Sequence, residues 1–201
     1  YRQATQLVAV IAGSVAITLV ATAKPLLIAW TGDLNLATKA SPILRLYAAG
    51  NLFLCLSAFS YYLQYSKGNL KYHLIGNIGL VIILIPSIIF ASIHFGGVGA
   101  GYVWLTMNAL FLFCWVAYVH HKLEPNLHSI WILQDTLKII FPATVVALLL
   151  LFFELDDNFS ARGESLLFVL ITGIVVIALA LCFSDQAKKI IRAKLNFKSI
   201  K

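Results

Sequence analysis

Acidic residues are scarce in this 201-residue chain: eight Asp and Glu stand against fifteen Lys and Arg, and charged residues of both signs make up only 11%. That excludes an ordinary soluble domain, in which about 25% of residues are charged. Cysteine is nearly missing too. Cys55, Cys114 and Cys182 form no C-x-x-C pair, so a disulfide framework or thiolate metal site is excluded and the three read as free, apolar-like thiols. There is no G-x-S-x-G elbow and no glycine loop closing in GK[ST]. Neither a serine hydrolase nor an ATP-driven pump is argued for, and no catalytic residue, metal or cofactor is implied. A signal-peptide pattern is also lacking. Tyr1-Arg2-Gln3 leads straight into an apolar run, which reads as the C-terminal part of a longer protein.

What fills the chain instead is hydrocarbon. Hydrophobic residues make up 61% and mean hydropathy is +0.90, the composition of an integral membrane protein. The expected fold is an all-α, polytopic transmembrane bundle of about six spans, Leu7–Trp30, Pro42–Tyr65, Tyr72–Phe95, Val98–Val119, Leu137–Phe153 and Ser165–Ser184. Lys24-Pro25 predicts an end or kink inside the first span. Arg2, Lys67, Lys71, Lys122, Lys138, Lys188, Lys189, Arg192, Lys194, Lys198 and Lys201 fall on one side of this arrangement, and only Lys24, Lys39, Arg45 and Arg162 on the other. The positive-inside rule then makes the N-terminus and the basic tail cytoplasmic. With Ile190, Ile191, Leu195 and Phe197 among its cations, the tail suits anionic lipid headgroups rather than nucleic acid.

The stretch 64–108 organises the rest. Lys67-Gly68-Asn69-Leu70-Lys71 is a polar break, Leu74–Phe95 is long enough to cross a bilayer, and Gly96-Gly97-Val98-Gly99-Ala100-Gly101 turns the chain into a returning span. Small residues there let backbones approach closely. A short basic loop, an Asn early in the helix (Asn77), a late proline (Pro86) and a G-x-x-G-A turn form a pattern that resembles the Wzx-type polysaccharide flippases of the multidrug/oligosaccharidyl-lipid/polysaccharide exporter superfamily. Ala23-Lys24-Pro25-Leu26-Leu27 and Ile43-Leu44-Arg45-Leu46 extend the resemblance, which covers about residues 1 to 120.

Polar residues inside the spans are the candidate site. Ser57, Ser60, Tyr61 and Gln64 follow i, i+3, i+4, i+7 spacing on one helix face, with Asn51 on the same helix. Such a face is expected to look at other helices or a water-filled cavity. Arg45 has two readings, a snorkelling arginine at the interface or a cation facing the cavity. Lys24 reads as a snorkelling residue or a second cation, and Asn77 as helix-packing glue or a cavity residue. His73, His94, His120, His121 and His128 read as headgroup-level residues, since adjacent His120 and His121 point about 100° apart on a helix.

The resemblance implies the C-terminal lobe of a two-lobed transporter, divided here into a four-helix unit (1–120), a cytoplasmic interfacial loop (121–136), an appended pair (137–184) and a basic tail (185–201). The last pair, nearly uniformly apolar, is expected at the lipid-facing periphery. The implied cargo is an undecaprenyl-pyrophosphate-linked oligosaccharide in the bacterial inner membrane. The implied partners are that glycan, membrane lipids and the missing N-terminal lobe. Arg45 and Lys24 would then face the pyrophosphate, with Asn51, Ser57, Ser60, Tyr61 and Gln64 on the sugar side. The alternatives are a multidrug exporter of the same superfamily, or a membrane-embedded polymerase or acyltransferase using the acidic cluster Glu154, Asp156, Asp157 and Glu164.

Overall fold

In the computed structural model, residues 1–152 and 162–190 are described. Glu154, Asp156 and Asp157, and the tail cations from Arg192 onward, lie outside them. Every element among the described residues is helical. Helix α1 (Arg2–Ala21) gives way at Thr22 (φ −114°, ψ 23°) to α2 (Ala23–Thr31), the break expected from Lys24-Pro25. Pro25 falls in the first turn of α2, where a missing N–H costs no intrahelical bond. Gly32, left-handed at φ 72°, closes α2 with its N–H on the Ile28 carbonyl, and Asp33 opens α3 (Leu34–Ser66) by accepting from the N–H groups of Asn35 and Leu36. The helix of the second expected span therefore begins before Pro42. The proline lies inside α3, and the hydroxyl of Ser41 stands 3.5 Å from the Thr38 carbonyl that a proline at 42 leaves without its helical donor.

The hairpin forms at a single residue. Helix α4 (Lys71–Leu110) runs through Gly96, whose φ 62° and ψ −154° are not helical, so it consists of a first arm, 71–95, and a second arm beginning at 97. A Cβ built on Gly99 would lie 2.6 Å from the Ala91 carbonyl oxygen. Residues eight apart on one straight helix are about 12 Å apart, so the chain has doubled back. The second arm continues through a wide π-helical segment, Phe111–Val116, into α5 (Ala117–Leu123).

A short turn follows, and the chain re-enters helix earlier than expected: α6 (Leu127–Ile130), a second π-helical segment (Trp131–Leu137) and α7 (Lys138–Phe152) run on as one rod, followed by α8 (Arg162–Phe183). What reads as an interfacial loop is thus the first turns of a long helix. Among the described residues five helices, counting the hairpin as one, are long and apolar enough to cross a membrane.

Small residues set the packing. Gly97 and Gly101 lie against Ile43 and Leu46 of α3, and Gly50 of α3 accommodates Trp104. The core joins Ala9, Val10 and Ile17 of α1 with Leu52 and Leu56 of α3, Trp131, Ile139, Ala143 and Ala147 of the rod, and Val176 and Ala180 of α8. The last two spans turn most of their surface outward, as expected, and each packs one side on this core. Each is apolar all round and carries no stripe to mark its packed side; alanines, which admit a close neighbour, mark it instead. The least buried of the five is the hairpin.

One end of the bundle collects the basic segments. Arg2 meets Asp135, Lys67 meets Glu124 at 2.8 Å, Lys138 meets Asp185 at 2.6 Å, and Gln186 N–H donates to Gln6. The hydrogen bond from the Lys138 ammonium holds the Asp185 carboxyl below its ordinary range. At the other end Arg162 donates to the Thr31 carbonyl at 2.8 Å, tying α8 to α2.

Candidate functional site: a cleft between α3 and the hairpin

The face Ser57, Ser60, Gln64 is turned inward, all three side chains being buried. Their hydrogen bonds are local. Ser57 Oγ donates to the Phe53 carbonyl (2.8 Å), Ser60 Oγ to that of Ser57 (2.9 Å), and Gln64 Nε2 to that of Ser60 (3.1 Å). Hydroxyls bonded back to their own helix need no partner on a neighbour, and both retain acceptor lone pairs. Gln64 does more: its Oε1 accepts from the His73 backbone N–H at 2.6 Å, joining the end of α3 to the first turn of α4 across the Lys67–Lys71 loop.

Above that joint lies a cleft of about 410 Å³. Ser57, Ser60, Tyr61 and Tyr62 of α3 form one wall, His73 and Asn77 of the first arm another, and Phe111, from the π-helical segment of the second arm, closes the back. Tyr61 is its hub. Its ring lies 4.7 Å from that of His73 and 5.4 Å from that of Tyr62. The Asn77 amide nitrogen lies 3.0 Å from His73 Nε2, one turn below it, so Asn77 bonds within its own helix and lines the cleft. Hydroxyl, amide and imidazole groups beside aromatic faces suit a polar, uncharged ligand of several hydroxyl groups.

Four of the eight expected residues, Ser57, Ser60, Tyr61 and Asn77, therefore line one cleft, and Gln64 supports it from behind. The other three stand apart. Asn51 is exposed and accepts from the indole of Trp104 at 3.2 Å. Arg45, half-buried on α3, stands about 18 Å along the helix axis from Ser57 at 1.5 Å per residue. Lys24, half-buried, belongs to α2. His73 and Tyr62 are members that sequence reasoning left out of the site; His73 is signalled by its i, i+4 relation to Asn77.

A second polar group went unread. Asp135, fully buried, accepts from Arg2 Nε at 2.5 Å and Nη2 at 3.1 Å, and from Gln6 Nε2 at 2.7 Å. Beside it Trp131, also fully buried, donates to Thr5 Oγ1 at 2.9 Å. His120 is buried between Tyr1, Trp131 and His128: its Nε2 is 2.7 Å from the Tyr1 hydroxyl and its Nδ1 3.1 Å from that of His128. The headgroup reading of His120 is corrected accordingly, and the pair that meets is 120 with 128, not 120 with 121. Burial pushes the Tyr1 phenol above its ordinary range. Among the described residues no group of three metal-ligating side chains occurs. The signal for this corner was Trp131 and Asp135, four apart on one helix face; Pro125 and the surrounding polar residues concealed it.

Among the described residues the fold is an all-helical bundle with helices long and apolar enough for a membrane and, near its basic end, an aromatic-walled cleft that carries a few polar groups. No protein-family model, curated protein or solved structure matches the chain.

Proposed function

We propose that the chain is the C-terminal lobe of a polysaccharide flippase, carrying undecaprenyl-pyrophosphate-linked oligosaccharide across the bacterial inner membrane by alternating access of two lobes. The observation that carries this reading is the cleft. Ser57, Tyr61, Tyr62, His73 and Asn77 bring hydroxyl, amide and aromatic groups together in one cleft of a largely apolar chain, and the sequence pattern of the hairpin that supplies two of them resembles that of the flippases. Intramembrane polar residues that converge on a cavity mark a substrate path. In this reading the protein binds and moves its cargo and does not transform it, and the basic end of the bundle faces the cytoplasm.

The test is glycan export by the full-length protein. Tyr61→Ala and Asn77→Ala are each expected to lower export roughly three- to tenfold at equal membrane level, the loss of about one net polar contact. Arg45→Lys measures whether Arg45 holds phosphate: a guanidinium fork on an anion is not replaced by an ammonium, whereas a snorkelling cation is. Unchanged export in both Tyr61→Ala and Asn77→Ala would remove the cleft from the transport path. Orientation is checked separately. With the three native thiols replaced, a cysteine at Asn126 should react with an impermeant maleimide only after permeabilisation, and one at Trp30, which is exposed at the opposite end, on intact cells.

A further inference from the structure

The first arm of the hairpin, 71–95, is built differently from every other long helix here. Left-handed glycines bound it on both sides, Gly68 at φ 69° and Gly96 at φ 62°, and neither has an atom within 4 Å of where a Cβ would stand. Glycine passes between backbone wells with little steric cost, and the space beside both Cα atoms is open. Between these points the arm is bare: Leu74, Ile78, Ile82, Ile85, Ile89 and Ile93 are all exposed. Its contact with the rest of the bundle is confined to one narrow stripe: Tyr72 against Tyr118, the His73–Asn77 turn against Tyr61 and Gln64, Gly76 beneath the Trp115 indole, half-buried Leu80, Leu84 and Ile88, and Ala91 against Gly99. Pro86 interrupts its backbone ladder midway. An apolar groove of about 840 Å³, lined by Pro86, Phe90, Phe95, Tyr102 and Val103, opens beside the Ala91–Gly99 contact of the two arms and leaves one flank of the first arm without protein against it.

At the other end of the same arm one side-chain hydrogen bond to its backbone ties it to α3, beside the ring contacts of His73 with Tyr61 and Tyr72 with Tyr118. Gln64 accepts from the His73 N–H and is itself fixed by its bond to Ser60. Since His73 and Asn77 form one wall of the cleft, any movement of the arm opens or closes that site.

We infer that the first arm is a gate, swinging about Gly68 and Gly96, with Gln64 as the latch that holds it closed over the Ser57–Tyr61 wall. The motion stands on the hinges and the latch. Only its consequence, timed access of a glycan headgroup to the cleft, rests on the function proposed above.

Spin labels test it in the full-length protein in lipid nanodiscs, with Cys55, Cys114 and Cys182 replaced by serine. Labels at Ile82→Cys on the arm and Leu148→Cys on α7, both exposed, should give two distance populations by electron–electron double resonance. Gln64→Met keeps the shape of the latch and removes its hydrogen bonds, and should shift the ratio toward the open population roughly three- to tenfold, the equivalent of one hydrogen bond. Gln64→Glu, which keeps the acceptor facing His73, should restore the closed population. Should Gln64→Met fail to reach the membrane, Gln64→Asn, too short to reach His73, takes its place. A single narrow distance that neither latch variant alters overturns the gate. The two readings separate cleanly: two populations with export indifferent to Tyr61→Ala keep the gate and remove the glycan site, and one fixed distance with export lost does the reverse.

Discussion

Replacing Trp131 with alanine should cost about 3–5 kcal/mol of stability, the usual range for deleting a buried aromatic side chain. Trp131 is the largest fully buried side chain among the described residues. It stands where the start of α1 meets the rod that becomes α7, its indole donating to Thr5 and its ring 5.1 Å from that of His120. Alanine leaves a cavity between helices and removes the donor to the Thr5 hydroxyl, which keeps only its own bond to the Tyr1 carbonyl. The neighbouring Asp135 would lose the packing that holds it against Arg2. Thermal unfolding in detergent, followed by exposure of a thiol probe, should show a lowered midpoint for Trp131→Ala and a smaller drop for Trp131→Phe, which refills most of the volume but not the hydrogen bond. A midpoint within a degree of the parent protein would mean that this corner does not hold α1 and α7 together.

Gly50→Val should be the second severe change. A Cβ at residue 50 would come within 2.4 Å of Trp104 Cδ1 and 3.2 Å of the Leu105 Cα. The second contact is with backbone, so rotamer change alone cannot relieve it, and α3 must move away from the second arm. Trp104 is also held in place, its ring 5.9 Å from that of Tyr47 and its indole on Asn51. Overpacking of this kind costs about 1–3 kcal/mol. The double change Gly50→Val with Trp104→Ala should recover part of the loss, because the two side chains compete for one space; residues in contact are non-additive in this way. Equal unfolding midpoints for the single and double variants would show that the strain lies in the backbone contact alone.

These two sites also show what the sequence disclosed and what it hid. Gly97, Gly99 and Gly101 were legible as a turn and a close-packing surface because glycine has few other uses in an apolar run. Ser57, Ser60 and Gln64 were legible because polar groups inside a span must face protein. The break ahead of Pro25 followed from proline's missing N–H. Gly50 stood out less, since one glycine in a helix does not say which tryptophan it admits. Trp131 and Asp135 were hidden by their setting: beside Pro125 and two histidines, a helix start looks like a loop, and the partners that make a buried carboxylate tolerable, Arg2 and Gln6, lie more than a hundred residues away. The packed sides of α7 and α8 were illegible for the opposite reason. Where every residue is apolar, periodicity carries no contrast, and size alone decides which face lies inside. Arg45 and Lys24 were read as a pair with the sugar-side residues through resemblance; spacing along α3 separates Arg45 from them.

Helix α3 is 33 residues long, about 50 Å at 1.5 Å per residue, against a hydrocarbon core of about 30 Å. The surplus lies at the Asp33 end, where Asn35, Thr38 and Lys39 alternate with Leu34 and Leu36. Those first turns are therefore neither committed to water nor to lipid. Were α3 to span a bilayer, these turns would sink in a thicker one as the helix stood more upright, and rise in a thinner one as it tilted. Because the second arm packs on α3 through Gly97 and Gly101, and the cleft hangs from its far end, bilayer thickness would then set the inclination of the surface on which the whole hairpin rides.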